Sequence, residues 1–154
     1  MDYSKMLEQL KKTPRVNGYT SPKAEPRISP IQGIGIFAKE RIKKGEVVAA
    51  WGGRVTTKEE IEKLPEEIAY NYALMLYPGF YLAERDLTEL DAADFFNHAC
   101  EPNCVIVDRF VLLCDKDIEA GEEVTADFSS DRHEGGSFVC KCGSKKCKGT
   151  IWTG

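Results

Sequence analysis

The segment Cys140-x-Cys142-x4-Cys147 places three thiols within eight residues of a tail that is otherwise rich in Gly, Ser and Lys. Such a stretch has little to bury, so whatever orders it must work through its cysteines. Zinc in a structural role takes a closed tetrahedral set of four nitrogen or sulfur ligands. No Cys or His follows Cys147, so a fourth ligand has to come from elsewhere: Cys100, Cys104, Cys114, His98 and His133 are the candidates. A redox or incidental cysteine cluster is the alternative. On the zinc reading the C-terminal tail is tied back across the body of the molecule, which excludes any fold that leaves the tail free.

The body is long enough for a real core: 154 residues, 42% hydrophobic and 30% charged, fit one soluble globular domain. There is no apolar run of about 18 residues. The start MDYSKMLEQLKK has no apolar signal core, so an intracellular location, cytoplasmic or nuclear, is expected and a membrane partner is not. Lys plus Arg number 21 against 25 Asp plus Glu, a net charge of −4. That gives no general attraction to nucleic acid and mildly favours a basic partner. In an intracellular chain six cysteines read as thiols or metal ligands rather than disulfides. Cys114, in the apolar run VLLC, reads as a small buried hydrophobe.

Tyr3, Met6, Leu7 and Leu10 stand at helical spacing and predict a short amphipathic helix over 3–12. Four prolines between residues 13 and 30 predict an extended lead-in without elements, so the domain proper is expected from Ile31. Two segments resemble each other: IFAKERIKKGEVV (36–48) and LLCDKDIEAGEEVT (112–125). Each reads as a strand returning on itself through a Gly-Glu turn. Thr57 and Glu60 form a capping box that predicts a helix over 58–64, stopped by Pro65. IAYNYALMLY and FYLAE predict further short elements. With no βαβ alternation and no long central helix, the expected fold is mainly β, with short strands in several small sheets and few short helices.

FFNHACEPNC (95–104) combines two asparagines, two cysteines, a proline and a histidine. A Cys/His catalytic pair, a metal site and a tight turn all suit that composition. His98 and Cys100 are too close along one turn to act as a separated nucleophile and base in the manner of thiol proteases. Taken with GIG at 33–35 followed by IFA, with GEEVTADF at 121–128 and with CKCGSKKCKGTI, this stretch resembles the SET-domain family of protein-lysine methyltransferases with its post-SET zinc tail. The likeness runs from Ile31 to Trp152, and the four motifs follow the family's order.

The resemblance implies a β-clip of small curved sheets with a C-terminal pseudoknot, divided into a lead-in (1–30), a SET domain (31–130) and a post-SET tail (131–154). It implies S-adenosylmethionine and zinc as bound groups and a lysine-bearing, basic protein or peptide as substrate, histone or other. It names Cys100 as the fourth ligand beside Cys140, Cys142 and Cys147. Asn97 and His98 would help hold the cofactor; the plainer reading is that they satisfy backbone groups in a tight turn. Gly33, Ile34 and Gly35 would offer backbone to it, glycine allowing close approach. Trp51 would wall it or pack in the core, and Trp152 would cover the adenine or anchor the tail. Tyr72 is the first candidate wall of the lysine channel, with Tyr70, Tyr77 and Tyr81 behind it. The family's closing Asp-Tyr tyrosine is Phe128 here, Asp94 replaces a usual Arg, and Ala126 stands where an aromatic is common. A weakly active or silent module that binds cofactor or lysine peptide is the second reading, and a small zinc-knuckle interaction protein is the third.

Overall fold

The computed structural model describes residues 2–12, 18–129 and 136–153. In chain order its elements are α1 (Tyr3–Lys12), β1 (Tyr19–Thr20), β2 (Ala24–Ile28), β3 (Ile34–Ala38), β4 (Val47–Ala50), β5 (Arg54–Thr57), α2 (Lys58–Ile61) and α3 (Glu66–Asn71). There follow β6 (Leu74–Tyr77), β7 (Phe80–Ala83), a 3-10 turn (Ala92–Phe95), β8 (Asn97–His98), β9 (Cys104–Val107), β10 (Val111–Cys114), β11 (Glu123–Ala126), β12 (Ser137–Val139) and β13 (Thr150–Trp152). The strands make four small sheets, ordered β1-β4-β10-β9, β2-β3-β11-β8, β5-β7-β6 and β12-β13. The fold is therefore mainly β with few short helices, as the sequence predicts. No described helix is long and apolar enough to cross a membrane.

The two look-alike segments do not fold back on themselves. Each sends its first strand to one partner and its second to another: β3 pairs with β11 and β4 with β10, all antiparallel. Between the strands, Ile42 and Ile118 exchange backbone hydrogen bonds of 2.9 Å in both directions. The turns behind them rest on Gly45 (φ +85°) and Gly121 (φ +90°), a backbone region that only glycine enters without penalty. The hairpin reading is thus corrected: each strand repeats the pattern of its copy, and pairing across copies buries both isoleucines.

The lead-in is corrected too. β2 lies within it and pairs with β3 along its whole length, Pro26 opposite Ile36. It is an edge strand, where a missing N–H does not break a ladder. The Thr57–Glu60 capping box forms, with Glu60 N–H donating to Thr57 Oγ1 (3.3 Å) and Thr57 N–H to Glu60 Oε2 (2.9 Å). Its helix stops at Ile61 rather than 64, because Leu64 N–H bonds Ile61 O across a tighter turn before Pro65.

One apolar core gathers Met6, Ile36, Ile42, Val48, Leu112, Ile118, Val124 and Phe128 among others, and a smaller one gathers Ile61, Met75 and Tyr81. Leaving His98, the chain builds β9 and β10 in another sheet and returns as β11, parallel to β8 and antiparallel to β3. This crossing is held by Asn103, whose Nδ2 donates to Glu123 O (2.8 Å) and whose Oδ1 accepts from Thr125 N–H (2.8 Å). An asparagine amide presents the same donor and acceptor as a peptide, so Asn103 acts as one rung of a strand beside β11.

Candidate active site and metal centre

Three cavities meet in series along β8 and the 3-10 turn before it. The widest, about 810 Å³, lies between Ile31, His98 and the tail residues Phe138 and Thr153. The second, about 560 Å³, runs past Gly33, Tyr3 and Glu67. Gln32, Asn71, Phe96 and Asn97 line both, so the two form one trough. A third cavity of about 310 Å³ is walled by Trp51, Tyr72 and Phe128, and it shares Asn71, Tyr72 and Asp94 with the second. A polar and aromatic trough that opens at one end into a narrow aromatic pocket suits an elongated small molecule and the tip of a side chain.

Asn97 is the strap of the trough. Its Nδ2 donates to Ile34 O (3.1 Å), Gln32 O (3.2 Å) and Glu123 Oε1 (2.7 Å), pinning the Gly33 turn to β8. Glu123 also accepts from Ser29 Oγ at 2.8 Å. A Cβ on Gly35 would lie 2.0 Å from Glu123 Oε1, so this glycine makes room for that carboxylate. Gly33 has φ +52°, and a Cβ on it would meet the Tyr3 ring at 2.7 Å. His98 is buried, and its Nδ1 accepts from Phe128 N–H (3.1 Å), which leaves the neutral ring's proton on Nε2, 3.5 Å from Cys100 Sγ. Asn97 and His98 thus do tie backbone together, and both also line the trough.

The two tryptophans lie elsewhere than in the trough. Trp51 donates its Nε1–H to Ala93 O (2.6 Å), meets the rings of Phe96 and Phe128 edge-on at 6.1 and 6.0 Å, and walls the third cavity. Trp152 is 72% exposed. It pairs with Ser137, and strand alternation turns Phe138 and Ile151 inward while Ser137 and Trp152 face out. The tail aromatic that lines the trough is Phe138, whose ring meets His98 at 5.2 Å. Ser137, Phe138 and Val139 are too few to carry a strand periodicity, so the sequence alone does not point to Phe138. Of the four tyrosines considered for the lysine channel, Tyr72 reaches the third cavity, Tyr81 is buried in the smaller core and Tyr77 is exposed. The Tyr70 side chain and His133 lie outside the described residues. Ala126 is fully buried in the main core and does not line the third cavity.

The sulfurs of Cys100, Cys140, Cys142 and Cys147 all lie within 4.8 Å of one another. Cys100 and Cys140 Sγ are 3.7 Å apart. Four thiolates at about 2.3 Å from one zinc ion sit about 3.8 Å apart on the tetrahedron's edges, so the donor set fits that metal. Lys148 N–H points at Cys100 Sγ (3.4 Å), the kind of second contact that steadies a ligating thiolate. Burial raises the Cys142 thiol, but N–H groups of Cys100 and Ser144 and the neighbouring thiols outweigh it and bring it down to about 7. Burial carries Cys140 the other way, up to about 12. Cys104 and Cys114 form a separate buried pair across β9 and β10, 3.7 Å apart, so Cys114 is the buried residue that its apolar run predicts.

Comparison with protein families matches residues 33–129 to the SET domain. The chain belongs to the SET-domain family. The matched region holds the whole narrow cavity, whereas the trough is completed by Ile31 and Gln32 before it and by tail residues such as Phe138 and Thr153 after it, and the four-cysteine cluster joins Cys100 of the matched region to that tail. Over 134 residues the chain is 32% identical to "Histone-lysine N-methyltransferase, H3 lysine-36 specific" of Schizosaccharomyces pombe, covering 78% of this chain and 16% of that protein. It is 29% identical over 143 residues to "Histone-lysine N-methyltransferase ash1" of Drosophila melanogaster, covering 85% and 6%. It is also 29% identical over 152 residues to the Schizosaccharomyces pombe "Histone-lysine N-methyltransferase, H3 lysine-4 specific", covering 89% and 16%. This SET chain thus spans a small part of the length of these relatives.

Proposed function

We propose that this SET domain is an S-adenosylmethionine-dependent protein-lysine methyltransferase acting on a basic protein, with histones the substrate class that its relatives' names suggest. A cytoplasmic or nuclear location goes with that reading. The observation that carries it is the trough that opens at one end into a narrow pocket of Trp51, Tyr72 and Phe128. The trough's chemistry fits the cofactor: the Gly33–Ile34 turn along one side, the Asn97 and His98 strap, and an aromatic edge from Phe138. When bound there, the cofactor supplies a methyl group on a positively charged sulfur. The chain's own work is to align a lysine amine with that methyl and to exclude water. Trp51, Tyr72 and Phe128 form the desolvating walls. Zinc on Cys100, Cys140, Cys142 and Cys147 holds the post-SET tail, residues 131–154, and so keeps Phe138 and Thr153 on the trough's outer wall.

Phe128 brings no hydroxyl to the cavity. Loss of one placed polar contact in a dry site costs about 1.5 to 3 kcal/mol, roughly ten- to a hundredfold in rate. Restoring the hydroxyl with Phe128→Tyr is therefore expected to raise kcat about tenfold or more with little change in cofactor affinity. The deciding test of the activity itself is zinc-loaded protein with labelled cofactor and core histones, with mass spectrometry of the lysines. Absence of label on histones and on a broad lysine-peptide panel, with cofactor still bound by calorimetry, would overturn the enzyme reading in favour of a silent binding module.

A further inference from the structure

Resting on that reading, we propose that Asp94 is the group that accepts the proton from the substrate lysine's ammonium. Three residues are common to the trough and the narrow cavity, namely Asn71, Tyr72 and Asp94, so these stand where amine and methyl donor meet. Asp94 is the carboxylate among them. Phe128 has no polar side-chain atom, and the Trp51 N–H is committed to Ala93 O. Among the described residues lining the narrow cavity, Asp94 is thus the side chain suited to take a proton near neutral pH.

The carboxyl is held in place by its own turn. Asp94 Oδ2 accepts Asp91 N–H (2.8 Å) while Asp91 Oδ1 accepts Ala93 N–H (2.7 Å), a reciprocal cap that fixes the Asp94 rotamer. The groups facing it are acidic or neutral: Asp91 on the same turn, Glu84 after β7, Glu67 on α3, and the phenols of Tyr72 and Tyr3. Among the described residues no Lys or Arg lines the second cavity or the narrow one, and Lys141 lines only the outer part of the trough, so the natural counter-ion for an ionised Asp94 is an incoming ammonium. Burial holds this carboxyl well above the ordinary range; the Asp91 N–H opposes that, and the charges of Asp91 and Glu84 add to it. A base displaced toward neutrality is better matched to its task than an ordinary carboxylate.

The need is chemical. Lysine's ordinary pKa of about 10.4 leaves roughly four amines in ten thousand neutral at pH 7. In the proposed step one proton passes from the ammonium nitrogen to a carboxylate oxygen, giving a neutral amine and a neutral acid. The freed lone pair is the one that forms the new N–C bond as the C–S bond breaks and its electrons stay on sulfur. The product nitrogen is again positively charged, and Asp94 returns its proton to water through the trough.

The test is Asp94→Asn, which keeps an oxygen for the Asp91 N–H. The expected result is a kcat at least about a hundredfold lower, within the range for removing an acid–base group. The rise of kcat with pH through the Asp94 ionisation should disappear, and the cofactor Kd should move less than threefold. A peptide with the less basic thialysine in place of lysine should recover much of the lost rate. Asp94→Glu, which keeps a displaced carboxylate, should retain the pH limb at intermediate rate and keeps the test usable if the Asn variant folds poorly. A kcat within threefold of wild type, or a loss confined to cofactor affinity, overturns the role. Wild-type protein that transfers no methyl at any pH sinks the parent reading as well, whereas active wild type with an indifferent Asp94→Asn sinks this inference alone.

Discussion

The body and the tail of this molecule are held together by different forces. The body joins two copies of one strand-turn-strand pattern through their facing isoleucines, Ile42 and Ile118, both fully buried in a core that runs from Met6 to Phe128. In the tail, Cys140, Ile151 and Thr153 are the buried residues among those described, and neither apolar core includes any of them. Its links to the body are the cysteine cluster, the Phe138 ring against His98, and ion pairs such as Lys146 with Glu101 (3.0 Å). Burial stabilises the part that carries the trough's floor, and on the proposed zinc reading metal–thiolate bonds stabilise the part that carries its outer wall. A molecule built this way can lose the wall without losing the floor.

Metal removal breaks the comparison most strongly. Structural zinc contributes about 10 to 16 kcal/mol of apparent folding free energy in small zinc domains, more than the few buried side chains of the tail can replace. Chelation, or Cys147→Ser, is expected to abolish amide-exchange protection over 137–152 and to lower methyl transfer more than about a hundredfold, while far-ultraviolet dichroism and the body's melting transition stay close to wild type. Loss of the body's transition together with the tail would show that the two parts share one source of stability.

Next in size is Ile118→Ala, with Ile42→Ala as its mirror. Truncating a fully buried isoleucine costs about 2 to 5 kcal/mol, the spread reflecting how far the site collapses. Both variants should lower the urea midpoint by similar amounts and leave zinc affinity unchanged. Because the two residues touch, the double variant should cost less or more than the sum by about 0.5 to 3 kcal/mol. Strict additivity would mean that the two copies are stabilised independently, against the pairing seen here.

These two regions were also unequally legible in the sequence. The cysteine pattern states its own requirement, because a tetrahedral ion needs a fourth ligand wherever the chain finds one, and the structure supplies Cys100. The likeness of 36–48 and 112–125 was visible as well, yet its consequence was not. Local glycine turns say that each strand reverses, and nothing local says which partner it reverses onto, so exchange between copies looks the same as two hairpins. β2 was hidden by Pro26, since proline argues against a strand unless the strand is known to be an edge. Within the candidate site, the motifs pointed to Asn97, His98, Tyr72 and Phe128, all of which line the cavities. The position of Trp152 was not, because facing in or out follows from a register that only the β12–β13 pairing sets.

The smallest effect gives the sharpest comparison, because one substitution can be made on both sides of it. Gly45, Gly121 and Gly149 all have positive φ, at +85°, +90° and +73°, and a Cβ on any of them would meet nothing within 4 Å. Alanine at each therefore carries only the backbone penalty of that region, about 1 to 2 kcal/mol. In the two body turns the cost should appear in the urea midpoint, equally for Gly45→Ala and Gly121→Ala. Gly149 lies in the tail, where its carbonyl accepts Cys140 N–H (2.6 Å) beside the thiolates. There the same cost should appear as about a tenfold weaker zinc affinity in a chelator competition, since about 1.4 kcal/mol is tenfold in a binding constant. The urea midpoint of the body should not move. If Gly149→Ala instead lowers that midpoint while zinc affinity holds, the tail draws its order from the body's core and the division between burial and thiolate fails.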